Sequence, residues 1–329
     1  MLGIAKNKQV TKPKNINRGR KWSIGLYAGD PLGELIELPG NPIIAAEDIT
    51  DCRASFVADP FIIERNNIYY LFFEIMNLDS GQGDIGLSIS EDGVDWSYEG
   101  LVLTNRYHLS YPWVFEYEGN YFMLPEMNQG KTVKLFQAVN FPYKWEPVSE
   151  LLSGKRYRDS SLLRYNDLWW LFTTWDDTRL HLYYSEDLFS DSWQRHQASP
   201  VARGRFARPA GRILKYNDRF YRPAQDPLPG YGSRVMLHEI REISVDSYKE
   251  RLIGPYFSAS GSGWNSDRMH HVDFLETVPS GIKRKEIVDE NDWLVVADGY
   301  NTRWTIDPVR LRISRFKRRL RNVRDRNFR

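Results

Sequence analysis

The chain predicts an all-β fold, a five-bladed β-propeller, and three observations carry that prediction. One strand–turn–strand plan recurs five times, a polar motif opens each repeat, and aromatic residues reach 14 % of the 329 residues. Aromatic side chains favour strands, and a sheet ring closed on itself can hold this length as one domain.

In each repeat a polar motif opens an apolar strand, a short polar turn follows, and an aromatic-rich strand returns. The first repeat runs from Ala58-Asp59-Pro60-Phe61 through the turn Asn66-Asn67 to Ile68 and Glu74. The second runs from Tyr111-Pro112-Trp113-Val114-Phe115 through Glu118-Gly119-Asn120 to Tyr121 and Glu126. The third opens with Arg158-Asp159-Ser160-Ser161 and turns at Asn166-Asp167. The fourth opens with Ala207-Arg208-Pro209-Ala210 and turns at Asn217-Asp218. The fifth opens with His270-His271-Val272-Asp273 and returns, after a longer insert, from Trp293 to Asp298. The opening motifs lie 53, 47, 50 and 62 residues apart, each interval long enough for a four-stranded blade. Asn, Asp and Gly supply the backbone conformations that tight hairpins need. A second hairpin fits into each interval, as in Asp84 to Ser90 with Trp96. Trp22 to Tyr27 is expected to complete the last blade and close the ring. A sandwich or a solenoid would not put five polar motifs at the same point of the unit.

Charge divides the chain into three parts: a basic N-terminal arm at 1–21, the propeller at 22–302 and a basic C-terminal helix or tail at 303–329. Residues 1–21 hold seven Lys or Arg and no acid, and residues 303–329 carry a net +9. The body between them is left at −14, which excludes the basic folded face of a nucleic-acid groove. In the tail, Val309, Ile313, Phe316, Leu320 and Val323 fall on one helical face among Arg and Lys. Such a helix either attaches to a membrane surface or an acidic protein, or packs on the acidic propeller body. A single cysteine, Cys52, forms no disulfide within the chain. No apolar leader follows the basic start, and no run reaches the roughly 18 apolar residues of a membrane span, so the expected location is the cytoplasm.

Ring closure decides what the repeats do. The innermost strand of each blade lines the channel, so the opening residues of all five strands converge on one mouth. The converging set is Asp59, Tyr111, Trp113, Arg158, Asp159, Arg208, His270, His271 and Asp273. Polar groups gathered in a partly dry pocket acquire perturbed protonation. An ion pair between Arg158 and Asp159, or between Arg208 and Asp59, is the structural alternative to ligand contact. Aromatic residues add flat apolar faces for sugar rings.

Ala58-Asp59-Pro60, Arg158-Asp159 and His270-His271 together resemble the five-bladed glycoside hydrolases of the family 43, 32, 68, 117 and 130 type. More closely, Phe56 to Phe61, Tyr69 to Glu74, Tyr111 to Phe115 and Tyr121 to Glu126 are similar to the propeller at the N-terminus of glucosamine inositolphosphorylceramide transferases. The likeness covers roughly residues 22 to 300. It implies a carbohydrate or sugar-phosphate ligand and a place in glycan or glycolipid biosynthesis.

In the hydrolases the first-blade aspartate is base or nucleophile, the third-blade aspartate tunes it, and a glutamate opening the fourth blade is the acid. The resemblance therefore implies Asp59 as base and Asp159 as its tuner. The fourth blade departs from the pattern, because Arg208 stands where the acid is expected and an arginine donates no proton at neutral pH. Glycoside hydrolysis needs two carboxyls about 5 to 9.5 Å apart. Glu126, Glu74, His270 and His271 are the candidates for the missing acid, the two glutamates being expected further from the axis. Otherwise Arg158, Arg208, His270 and His271 bind an anion such as phosphate. A non-catalytic glycan-binding module is the other reading of the same departure. No organic cofactor is called for. The hydrolase likeness implies at most an axial cation held by His271 through water. Ser258 to Trp264 reads as a long loop that could cover the pocket.

Overall fold

The computed structural model describes residues 21–278 and 292–302. It contains five four-stranded antiparallel sheets, one per predicted repeat, and blade 3 gains a short fifth strand. Blade 1 is built from Ala54–Arg65, Ile68–Asn77, Gln82–Ser90 and Ser97–Leu103. Blade 2 comprises Ser110–Tyr117, Asn120–Glu126, Thr132–Asn140 and Lys144–Ser153. Blade 3 comprises Arg158–Tyr165, Leu168–Thr174, Arg179–Ser185 and Gln194–Arg195. Blade 4 begins with the short strand Leu214–Tyr216, followed by Arg219–Asp226, Arg234–Ile243 and Tyr248–Ser258. Blade 5 joins Val272–Leu275 and Trp293–Asn301 to Lys21–Gly29 and Leu35–Glu37.

The N-terminal strand closes the ring, as its pattern predicts. It pairs in unbroken register with the last strand, from Lys21↔Asn301 to Gly29↔Trp293. The buried apolar residues form five clusters, and each joins one pair of neighbouring blades. Phe72, Leu87, Val114 and Met123 join blades 1 and 2, for example, while Leu26, Val296, Leu71 and Phe73 join blades 5 and 1. Much of the aromatic content serves these seams. Trp96 and Trp145 are buried at equivalent points of the outer strands, their indole N–H groups donating to Gly93 and Pro142 carbonyls.

The inner hairpins turn where the Asn, Asp and Gly pairs stand. Asn66 and Asn67, Asn166 and Asp167, and Asn217 and Asp218 all have φ between 49° and 60°. Two consecutive left-handed residues make the turn whose twist matches a hairpin. The basic arm up to residue 20, the helix expected at 303–329 and most of the insert before Trp293 lie outside the described residues. Among the described residues no helix is long and apolar enough to cross a membrane.

Candidate functional site at the channel mouth

The opening motifs meet because the same backbone irregularity recurs. In blades 1, 2 and 3 the inner strand slips register at the motif, between Ala58 and Phe61, Ser110 and Trp113, and Arg158 and Ser161. Asp59, Tyr111 and Asp159 sit in these bulges with φ of 51°, 48° and 44°. Left-handed backbone is tolerable for Asp and costly for Tyr, so the surroundings must hold Tyr111 there. Each bulge turns one side chain out of the strand's alternation and toward the axis.

Buried side chains from several blades meet where the opening motifs converge. The Tyr111 hydroxyl lies 2.7 Å from Ser161 Oγ, donates to the Gly211 carbonyl at 2.9 Å and accepts from the Gly211 N–H at 2.8 Å. Gly211 comes so close to blade 5 that an added Cβ would stand 1.7 Å from the Val272 carbonyl oxygen. Arg212 donates to Asp273 Oδ1 at 2.7 Å and to the Val114 carbonyl at 2.9 Å. Asp273 also accepts from the Ile62 N–H at 2.9 Å. Tyr111 and Asp273 thus spend their polar atoms tying blades together. Trp113 is buried with Phe115 in the seam between blades 2 and 3, under the Arg212 guanidinium. His271 is fully buried against Phe61 and Tyr111, and its Nε2–H donates to the Pro60 carbonyl at 3.0 Å. These four expected site residues are therefore packed between blades.

Beside these residues stand two linked carboxyl clusters. In the first, Asp298 Oδ1 accepts the backbone N–H groups of His270 and His271, each at 3.0 Å. Its Oδ2 lies 2.7 Å from His270 Nδ1 and accepts the Asp59 N–H at 3.2 Å. His270 Nε2 is 3.5 Å from Asp59 Oδ1 on the other side. In the second, Asp159 takes a two-point ion pair from Arg208 and a hydrogen bond from Gln225 at 2.8 Å. Glu126 Oε2 accepts the Asp159 N–H at 3.1 Å and lies 4.0 Å from Arg208. The clusters share one geometry: an acid ending the second strand of one blade caps the bulged aspartate of the next. Glu126 therefore reaches the mouth, nearer than its place on the second strand suggests. Glu74 occupies the equivalent position in blade 1, buried 3.0 Å from His108 Nε2.

This packing separates the protonation of neighbouring groups. Burial raises Asp59 well above the usual carboxylate range; His270 opposes the rise, and Glu74, Asp159 and Asp298 add to it. Burial and then the Asp159 charge raise Glu126 in the same way, against Arg208. Burial is the largest effect on Asp159 and Asp298 too, but Arg208, Glu126 and His270 together overcome it at the first, and His270 and His271 together at the second, so both are held below the usual range. Burial would lower His270, yet Asp298 and Asp59 bring it up to about 9. Burial takes His271 down to about 4, which keeps it neutral.

The ion pairs differ from those expected. Arg208 pairs with Asp159 across a blade boundary, and Arg158 pairs with Asp177, which also lies 3.7 Å from Arg208. Sequence reasoning missed Asp298, Arg212, Gln225, Asp177 and Tyr231. Tyr231 stands half-exposed on the loop after Asp226, its ring 5.2 Å from His270 and 5.5 Å from the Arg208 guanidinium. Among the described residues, Asp59, His270 and Asp298 bring ligand atoms within 4.8 Å of one another. His270 lies between the two carboxylates, Nδ1 2.7 Å from Asp298 and Nε2 3.5 Å from Asp59, a geometry that can share a proton along the triad. His271 faces Asp59 with Nδ1 at 3.8 Å and is sealed from the mouth.

Comparison with known proteins agrees with this architecture. Residues 15–299 match the family described as glucosamine inositolphosphorylceramide transferase 1, N-terminal. A glucosamine inositolphosphorylceramide transferase 1 from Oryza sativa subsp. japonica is 34 % identical, over 84 % of this chain and 40 % of its own length. The chain therefore spans about 40 % of such a relative. A putative glycoside hydrolase from Bacteroides ovatus shares the fold with a TM-score of 0.58 at 11 % identity, over 82 % of this chain and 96 % of its own. An exo-β-1,3-galactanase from Clostridium thermocellum aligns with a TM-score of 0.52 at 12 % identity, over 63 % of this chain and 51 % of its own. Closed by its own N-terminal strand and matched over nearly all of its propeller, the chain belongs to the N-terminal family of glucosamine inositolphosphorylceramide transferases.

Proposed function

We propose that this chain is a carbohydrate-active propeller of glycolipid biosynthesis that acts on a glycosidic or sugar-phosphate bond at the axial mouth. The reading is carried by two buried carboxyl pairs in contact, Asp298 accepting the Asp59 N–H and Glu126 accepting the Asp159 N–H, in which burial raises one member and cationic partners lower the other. Carboxyl pairs driven apart in this way supply acid and base near neutrality. Asp59 exchanges the proton with the reacting oxygen. Glu126 serves as the donor that the fourth blade lacks, and Asp159 with Arg208 holds it in place. His270 keeps positive charge beside Asp59, which suits a phosphoryl group. The names of the relatives supply the chemical class, a glucosamine unit on an inositolphosphoryl lipid. A cytoplasmic membrane surface, reached through the basic tail, fits such a substrate.

The test combines the chain with inositolphosphorylceramide and nucleotide-activated glucosamine, and separately with the glucosamine–inositol phosphate headgroup, followed by product chromatography. Asp59→Asn is expected to lower turnover by at least about a hundredfold while leaving the dissociation constant within about twofold. One observation favours a second reading, a non-catalytic glycan-binding module: Arg208 fills the acid's place and is committed to Asp159. Binding without turnover of any glycoside or sugar phosphate decides for that module.

A further inference from the structure

A cavity of about 430 Å³ opens beside the mouth, outside the carboxyl clusters. The loop after Asp226 forms one wall through Pro229, Gly230 and Ser233, and Ser258, Arg268 and Thr302 close the other side. Arg234 and Arg268 both line it. Arg234 uses Nε on the buried Asp226 at 3.0 Å, and Arg268 uses Nη1 on the Tyr231 carbonyl at 2.9 Å. Among the described residues, the Nη groups of Arg234 and the Nε and Nη2 groups of Arg268 have no hydrogen-bond partner. Asp226 already serves Arg205 as well as Arg234, and among the described residues Arg268 pairs with no carboxylate. Asp267 also lines the cavity and accepts from Thr302 and Ser266.

We infer that this cavity is a phosphoryl subsite, resting on the reading that a glycosyl group occupies the axial mouth. Guanidinium groups give paired, charge-assisted hydrogen bonds to phosphate oxygens. Tyr231 joins the two places. Its carbonyl is held by Arg268 at the cavity, while its ring lies against His270 and Arg208 at the mouth. One ligand can therefore place its sugar over Asp59 and its phosphate between Arg234 and Arg268. Leu228 and Tyr231 are half-exposed on the same loop, so a lipid chain borne by the phosphate would leave past apolar side chains.

The experiment measures binding by the full chain of myo-inositol 1-phosphate and of myo-inositol, and of phosphatidylcholine vesicles with and without phosphatidylinositol, all at one ionic strength. The expected result is preference for the phosphate-bearing partner, lost by about tenfold or more in Arg268→Ala and in Arg234→Gln, with melting temperatures matched to the parent. Preference in the soluble pair assigns the site to a free sugar phosphate as well, and preference in the vesicles alone assigns it to a lipid headgroup. No preference in either pair, or a preference that both variants keep, overturns the subsite. Turnover of the glucosamine–inositol phosphate headgroup is read beside binding, so a phosphate preference kept without turnover fails the axial chemistry alone, and a preference lost with turnover kept fails the subsite alone.

Discussion

Asp298 links the two histidines of blade 5 to the bulged aspartate of blade 1, and a pH dependence follows from that contact. The ordinary imidazole value is about 6.5, and His270 is raised to about 9. A raised base stabilises the fold fully below its unfolded value, and the contribution fades as pH climbs through the folded value. The stability advantage of the parent over His270→Gln should therefore be largest below about pH 6.5 and shrink toward pH 9 and above, with an amplitude on the order of 3 kcal/mol. Urea denaturation across that range measures it, and a difference that stays flat would mean His270 binds its proton no more tightly in the fold than in the unfolded chain. Tyr111→Phe should cost about 1–3 kcal/mol by the same method, because it leaves the buried Gly211 N–H without its acceptor. Asp59, Asp159, Arg208 and His270 were legible at this scale because they stand in the repeated motif. Asp298 and Tyr231 were not. The first lies at the far end of a second strand, and the second lies in a loop whose direction no periodicity encodes.

Hairpins and bulges set the next scale. The turn pairs were readable from residue type, since Asn and Asp tolerate the left-handed backbone that such turns need. Replacing Asn166 and Asp167 together by Ala should cost about 1–2 kcal/mol per residue for holding φ near 50° to 60° without that tolerance. A shifted midpoint at unchanged slope in denaturant would register it. The bulges were less legible. Sequence spacing located Asp59, Tyr111 and Asp159 at the strand openings but not their left-handed backbone, which depends on the neighbouring blade. That dependence also explains Glu126. Its distance from the axis follows from strand twist and blade stagger, which carry its carboxylate to the Asp159 N–H of the next blade.

At the scale of the molecule, ring closure turns five separate motifs into one site. The pairing of Lys21–Gly29 with Trp293–Asn301 brings Asp298 to Asp59 across 239 positions of sequence. Leu26→Asp would put a charge into the fully buried seam between blades 5 and 1, and should cost more than about 3 kcal/mol and broaden the unfolding transition. The five-bladed ring was legible because each repeat carries its own turn and apolar pattern. The buried cluster where the motifs converge was not, because Arg212 and Gly211 act through contacts made only when all five blades meet. The most direct test of the site is a crystal structure of the chain with the glucosamine–inositol phosphate headgroup bound. The sugar is expected within hydrogen-bond reach of Asp59, alongside the Tyr231 ring. A headgroup seated elsewhere on the propeller, with Asp59, Arg208 and His270 untouched, would contradict it.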